Sequence, residues 1–287
     1  MANYKKWLTL VPCIKGESNL TKAYDGLKAR LYFQRSFKIK HRRPIFYGLP
    51  KVHKDPISLR PVVSSVNSLL SVFSNWLDFK MKQLLPSMKS YVKKSFEVIQ
   101  DLKRITLPDN ALIFSADATS MYTNIDTEIG IQAVRDFLNC NSERIPQDFP
   151  TNMFLQVFEL VMTNNIFSFG DTTWLQLTGT AMGTPAACAY ATITYGQHEN
   201  TKILTEFSSN LLYCKRYIDD IFAIWIPSET GNNIIWNNFK ERINNWGTLK
   251  WIIEELSHKT VFLDLNIELR HSKIYTSTYQ KSLNLYL

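Results

Sequence analysis

Residues 211–226 read Leu-Leu-Tyr-Cys-Lys-Arg-Tyr-Ile-Asp-Asp-Ile-Phe-Ala-Ile-Trp-Ile, two apolar runs joined at Ile218-Asp219-Asp220. A two-residue connection between buried strands ordinarily takes Asn-Gly or Asp-Gly. Aspartate is a good turn former, so the Asp-Asp pair alone says little. Its apolar flanks say more, because two carboxylates packed this closely repel unless a cation neutralises them. Upstream, 111–117 is a short apolar strand ending on a third carboxylate, Asp117. Hard oxygen ligands at strand ends suit Mg2+, which takes one or two carboxylates plus substrate phosphates. Carboxylates from two strands would complete a two-metal site, with ions about 3.5–4 Å apart, that carries out in-line phosphoryl transfer.

The pattern around this core predicts an α+β fold with helices on one face of a sheet. Upstream, a helix is expected over 24–38, extended chain over 45–54, and a strand at Arg60-Pro61-Val62-Val63. An apolar face of Leu69, Leu70, Phe73, Trp76, Leu77, Leu84 and Leu85 predicts a helix over 67–85. Another is expected over 95–104, capped by Ser95. Helices over 127–138 and 151–162 each open with a threonine suited to capping. A hairpin is expected at 166–169 and 174–177 around Gly170-Asp171. Thr184-Pro185 reads as an N-cap followed by proline at the first helical position, of a helix that runs to about Phe207. A helix over 232–246 and strands at 250–255, 261–269 and 274–280 complete the pattern.

Charge divides the chain. Its formal net charge is +8, but residues 1–110 hold 21 basic and 7 acidic residues, whereas 111–287 hold 12 and 18. A basic half followed by an acidic half implies a polyanionic partner on the first and a cation site on the second. The longest stretch without formal charge, 172–198, carries three glycines and a proline and does not read as a membrane span. No N-terminal signal pattern is visible, and Cys13, Cys140, Cys188 and Cys214 show no paired spacing. An intracellular protein, nuclear or cytoplasmic, with reduced thiols is expected.

Several blocks, in order, carry a family resemblance. Tyr217-Ile218-Asp219-Asp220 resembles the Tyr-x-Asp-Asp box of reverse transcriptases. Phe114-Ser115-Ala116-Asp117-Ala118-Thr119-Ser120-Met121-Tyr122 is similar to their first palm motif, a metal aspartate with an aromatic residue five positions on. Thr178-Gly179-Thr180-Ala181-Met182-Gly183-Thr184-Pro185 resembles the glycine-bearing loop that supports template and nucleotide. Residues 47–54 followed by Leu59-Arg60-Pro61-Val62-Val63 are similar to the fingers motifs of Penelope-like element reverse transcriptases. The resemblance covers roughly residues 45–287.

It implies a right-hand polymerase core: fingers in 1–110, a first palm segment in 111–126, a fingers/palm insertion in 127–178, palm in 179–270, and a shortened C-terminal strand in 271–287. The thumb is expected to be absent, as is a nuclease domain, so that a partner would have to supply either. Asp117, Asp219 and Asp220 would hold two Mg2+ ions, Mn2+ being possible, with the Ala118 carbonyl as an extra ligand. Tyr122 would exclude a 2′ hydroxyl and select deoxynucleotides. Arg60 and Lys51 would meet the triphosphate, with template contact open for Lys51, while Thr178, Gly179 and Gly183 would shape the template-side loop. Partners would be an RNA template, a DNA primer and dNTPs, with no membrane. Phe262-Leu263-Asp264-Leu265 lies where the family places its primer-supporting hairpin, and either Lys250 or Lys259 could protonate pyrophosphate. Residues 38–43 would bind a phosphate backbone or serve as a nuclear-localisation patch. Met182 and Cys188 read as packing. The alternative is a nucleic-acid-binding fragment whose polymerase site is idle.

Overall fold

The computed structural model describes residues 42–51, 56–228 and 233–280. The helix expected over 24–38 and most of the 38–43 patch lie outside the described residues. Strands β1 (Ile45–Lys51) and β2 (Ser58–Ser64) form an antiparallel hairpin. Helices α1 (Leu69–Lys82) and α2 (Ser95–Leu102) follow, then β3 (Leu112–Ala118). A single turn, Met121–Asn124, leads into α3 (Thr127–Cys140) and α4 (Thr151–Thr163). Next come β4 (Ile166–Phe169), β5 (Thr172–Leu175) and α5 (Ala187–His198), which runs on through a π-helical turn at Glu199–Ile203. Strands β6 (Leu211–Tyr217) and β7 (Asp220–Trp225), helix α6 (Ile234–Ile243), and strands β8 (Trp251–Ile253), β9 (Lys259–Phe262), β10 (Leu265–Arg270) and β11 (Lys273–Thr278) complete the order.

The central sheet, in the order β6-β7-β3-β8, is antiparallel throughout. Strand alternation sorts its side chains into two cores. Phe114, Ala116, Ile221, Ala223 and Trp225 pack with α1, α3, α4, α5 and α6. Ile113, Phe222 and Ile224 face the other way, against α2 and the sheet β11-β10-β9. Helices therefore dominate one face as expected, but the second face is covered as well, by α2 and a small sheet. A third sheet, β2-β1-β4-β5, joins the N-terminal hairpin to β4 through one parallel pairing, Ile45 with Ser168. Helix α5 is buried almost all round, with Tyr190 and Tyr195 at 0% exposure. Among the described residues, no helix is long and apolar enough to cross a membrane.

Several local expectations change. Ser95 opens α2 as a helical residue, and the cap position belongs to Lys94. Thr127 likewise sits inside α3, whose cap is the Asp126 carboxylate accepting from the Ile129 amide at 3.0 Å. Pro150 precedes α4 with no side-chain cap. Helix α5 begins at Ala187 rather than at Pro185, because the Ala186 amide finds its acceptor in Ser74 of α1, at 3.0 Å. A tertiary partner thus replaces the local cap. The strand expected over 261–269 is broken at Leu263, whose φ of 55° turns the chain between β9 and β10. Positive φ at a non-glycine residue carries no simple sequence signature.

Candidate active site

Register brings the carboxylates together. Asp117 at the end of β3 lies directly opposite Asp220 at the start of β7. By strand alternation both belong to the face that carries Ile113, Phe222 and Ile224, the side of α2 and the small sheet rather than that of α1, α3, α4, α5 and α6. Asp219 occupies the turn, and its carbonyl accepts from the Ala118 amide at 2.8 Å, which ties the turn to β3. Like charges set opposite one another destabilise a sheet, so this pairing is a cost that a bound cation would reverse. Asp117 is exposed, while Asp219 and Asp220 are half-buried. Among the described residues no three His, Cys, Asp or Glu side chains already form a metal cage. One Asp220 oxygen, Oδ2, instead accepts from the Leu263 amide at 3.2 Å. The donor set is hard and oxygen-rich, as Mg2+ requires, and it leaves coordination positions for substrate phosphates.

The turn is strained. Tyr217 pairs with Asp220, leaving Ile218 and Asp219 as the two connecting residues, and Ile218 has φ 56°. A β-branched residue there is an outlier that costs on the order of 1–3 kcal/mol and persists only where its surroundings hold it. The Ile218 carbonyl is in fact held, accepting from the Arg216 guanidinium at 2.8 Å.

Tyr122 stands on the turn that follows β3. Its hydroxyl meets Cys188 Sγ at 3.2 Å, and its carbonyl accepts from the Thr180 amide at 2.7 Å. Burial, first, and then the thiol contact and the nearby Asp219 push its phenol above the ordinary tyrosine range. The ring therefore stays neutral beside the carboxylates. Cys188 is exposed at the start of α5, so it contacts the tyrosine rather than serving as packing, while Met182 is half-buried and its carbonyl bonds the Val63 amide at 2.8 Å. The pairing of a tyrosine and a cysteine 66 positions apart had no sequence signal.

The loop 178–185 works through its glycines. Gly179 has φ +72°, and a Cβ placed on it would lie 2.3 Å from the Tyr122 carbonyl and 2.6 Å from Thr123 Cα. Gly183, at φ +111°, abuts the Val63 carbonyl, and the Gly183 carbonyl accepts from Ser65 Oγ at 2.9 Å. The loop thus links Tyr122 on one side to β2 on the other. Thr178 is exposed, its carbonyl accepting from Gln176. Gly179→Ala is expected to lower the melting temperature by roughly 5–10 °C, combining left-handed strain with a backbone clash. Gly170→Ala is the control, since φ is +56° there but nothing lies within 4 Å. Its melting temperature should fall by clearly less. Differential scanning fluorimetry reads both.

Other expected residues are spread more widely. Arg60 is exposed on β2, opposite Leu49, and Lys51 ends β1 opposite Ser58. Both sit near the β1–β2 connection, in a sheet separate from the one that carries the carboxylates. The two lysines separate clearly. The carbonyl of Lys250 holds the Thr119 amide at 2.8 Å, two residues from Asp117, and its ammonium donates to the Asn244 carbonyl. Lys259 opens β9 in the small sheet, opposite Glu268. The Leu263-Asp264 turn abuts Asp220 through the Leu263 amide. Arg42 and Arg43 bond Asn67 and Thr173, through the backbone amide and the guanidinium respectively.

No family model matches the chain, and no curated protein matches it. Solved structures do. Apo telomerase from Candida tropicalis, truncated from its C-terminal domain, superposes with a TM-score of 0.56 at 15% identity, covering 89% of this chain and 60% of that one. Telomerase from Candida albicans in complex with a TWJ fragment of telomeric RNA gives 0.55 at 13%, covering 98% and 51%. The RNA-dependent RNA polymerase of BmCPV at elongation state gives 0.58 at 15%, covering 84% and 23%. The chain therefore spans at most 60% of these proteins. At such identities the likeness establishes the fold: a mixed α/β polymerase core of fingers and palm type, with an antiparallel sheet backed by helices.

Proposed function

We propose that this chain is the catalytic core of an RNA-directed DNA polymerase of the Penelope-like kind, extending a DNA primer on an RNA template with dNTPs. The observation that carries the reading is the register setting Asp117 opposite Asp220, with Asp219 tied to Ala118, at one end of a palm-type sheet. Mg2+ held by Asp117, Asp219 and Asp220 would supply activation of the primer 3′ hydroxyl and neutralisation of the triphosphate. The chain's own groups do the rest. Tyr122 presents an uncharged ring where the sugar would lie and excludes a 2′ hydroxyl. Gly179 and Thr180 fix that ring's backbone, and Gly183 lets β2 approach. Arg60 and Lys51, on the β1–β2 hairpin, would supply cations to the triphosphate or the template. Of the two lysines, Lys250 is the better candidate to protonate pyrophosphate, because it immediately precedes β8, which pairs with β3 and sets Ile252 opposite Asp117. The ordered motif blocks of residues 47–63, 114–122, 178–185 and 217–220 support the Penelope-like assignment.

Primer extension on an RNA template, with dNTPs in Mg2+ and separately in Mn2+, tests this. Extension that disappears on chelation of the metal is the expected result. If nothing is extended while duplex is bound with a steep salt dependence, the idle binding fragment is the correct reading.

A further inference from the structure

Beneath the Tyr217–Asp220 turn lies a buried ion pair that no part of the chemistry above uses. Arg216 on β6 is 0% exposed and Glu199 is 2% exposed. Arg216 Nε donates to both Glu199 oxygens at 2.9 Å, and Nη2 reaches Oε2 at the same distance. Nη2 also donates to the Thr192 carbonyl of α5 at 2.9 Å, and Nη1 to the Ile218 carbonyl at 2.8 Å. Ser90 Oγ donates to Glu199 Oε2 at 2.5 Å, and the guanidinium lies 5.3 Å from the Tyr195 ring centroid. Glu199 is itself the first residue of the π-helical turn that extends α5, a rare element found disproportionately at functional sites.

We propose that the Glu199–Arg216 pair is a positioning element, fixing the strained Ile218 carbonyl and thereby the aim of Asp219 and Asp220. The proposal rests on the polymerase reading and deepens it. Replacing a buried ion pair by apolar residues is often neutral for stability, so stability alone does not account for placing this one here. Three features give it a geometric role. It is planar and multidentate, it grips one carbonyl on the helix and one on the turn, and the carbonyl it grips belongs to the residue with positive φ. A strained turn is retained only when neighbours over-determine it. Thr192 belongs to α5, the most buried helix among the described residues, and Glu199 to the π-helical turn that continues it, so the turn is referenced to that helix through Arg216.

The decisive variants are Arg216→Lys, which keeps the charge but loses the planar fork, and Glu199→Gln, which keeps the shape. Three readouts are needed: melting temperature, Mn2+ binding by electron paramagnetic resonance without nucleic acid, and kcat and KM for dNTP in primer extension. Arg216→Lys is expected to bind Mn2+ about tenfold more weakly and to lose about 10–100-fold in kcat, with KM little changed, as a displacement near 1 Å produces. Glu199→Gln should move the same way by less. Variants that melt earlier yet keep wild-type Mn2+ affinity and kcat, well below their melting temperature, would overturn the proposal and leave a structural prop. If Arg216→Lys does not fold, Glu199→Gln and Ser90→Ala decide by the same criteria. A wild-type protein that neither binds Mn2+ nor extends primer removes the polymerase reading, and this role with it. A fully active wild type matched by its variants removes the positioning role alone.

Discussion

Asp219→Asn is expected to reduce primer extension by at least about 10²–10³-fold, the scale set by removing one preorganised electrostatic contact from a reacting centre. The substitution is isosteric, and the backbone carbonyl of residue 219, which holds the Ala118 amide, is untouched. The fold should therefore survive. Indeed, the melting temperature without metal is expected to hold or rise slightly, because one of three crowded anions is gone. With metal the order reverses. A cation that binds the folded state stabilises it by mass action, about 1.4 kcal/mol at tenfold excess over its dissociation constant, so Mg2+ should raise the wild-type melting temperature more than that of the variant. Extension assays and calorimetry with and without Mg2+ read the two effects. Wild-type activity in Asp219→Asn would remove Asp219 from the site. Equal Mg2+ stabilisation of both proteins would remove it from the metal.

The second large effect is expected at Tyr122. Truncation to alanine should raise the use of ribonucleotides relative to deoxynucleotides by about 10–100-fold, since excluding one hydroxyl by steric crowding is worth roughly that much. Deoxynucleotide incorporation should change far less. The tyrosine is well supported for this task. Its hydroxyl meets Cys188, its carbonyl meets the Thr180 amide, and Gly179 packs against its backbone. Its phenol, pushed up by burial, stays protonated through the working pH range, so the discrimination should be flat with pH. The measurement is single-nucleotide incorporation with matched dNTP and NTP. A ratio unchanged by Tyr122→Ala would mean that the ring does not gate the sugar. An RNA-directed RNA polymerase, a class whose fold this chain also resembles, would then be the reading to pursue.

Much of this was legible from order and spacing. The two apolar strands flanking Asp219-Asp220 appear as β6 and β7 within a residue of their expected ends. Asp117 lies at the end of a strand as its position after an apolar run implies, one residue before the last of β3, and alternation sets which face it joins. The helix with the clear apolar face, α1, and the helices α3 and α4 also form where expected, whereas α5, read from Thr184-Pro185, starts later, at Ala187. Caps fared worse at Ser95, Thr127 and Thr184, since a cap depends on which acceptor reaches an amide, and α1 supplied one for α5.

The sequence by itself determined the element types, the division of charge, and which residues could bear a phosphoryl-transfer site. These follow from short-range periodicity and from chemistry that does not depend on where the chain goes. Tertiary structure alone decided the pairings that give those residues geometry. Asp117 meets Asp220 through strand register over more than 100 residues. Tyr122 meets Cys188, and Arg216 meets Glu199, because sheet and buried helix pack face to face. Such contacts are invisible in one sequence, since folding, and not adjacency, sets the distance between them.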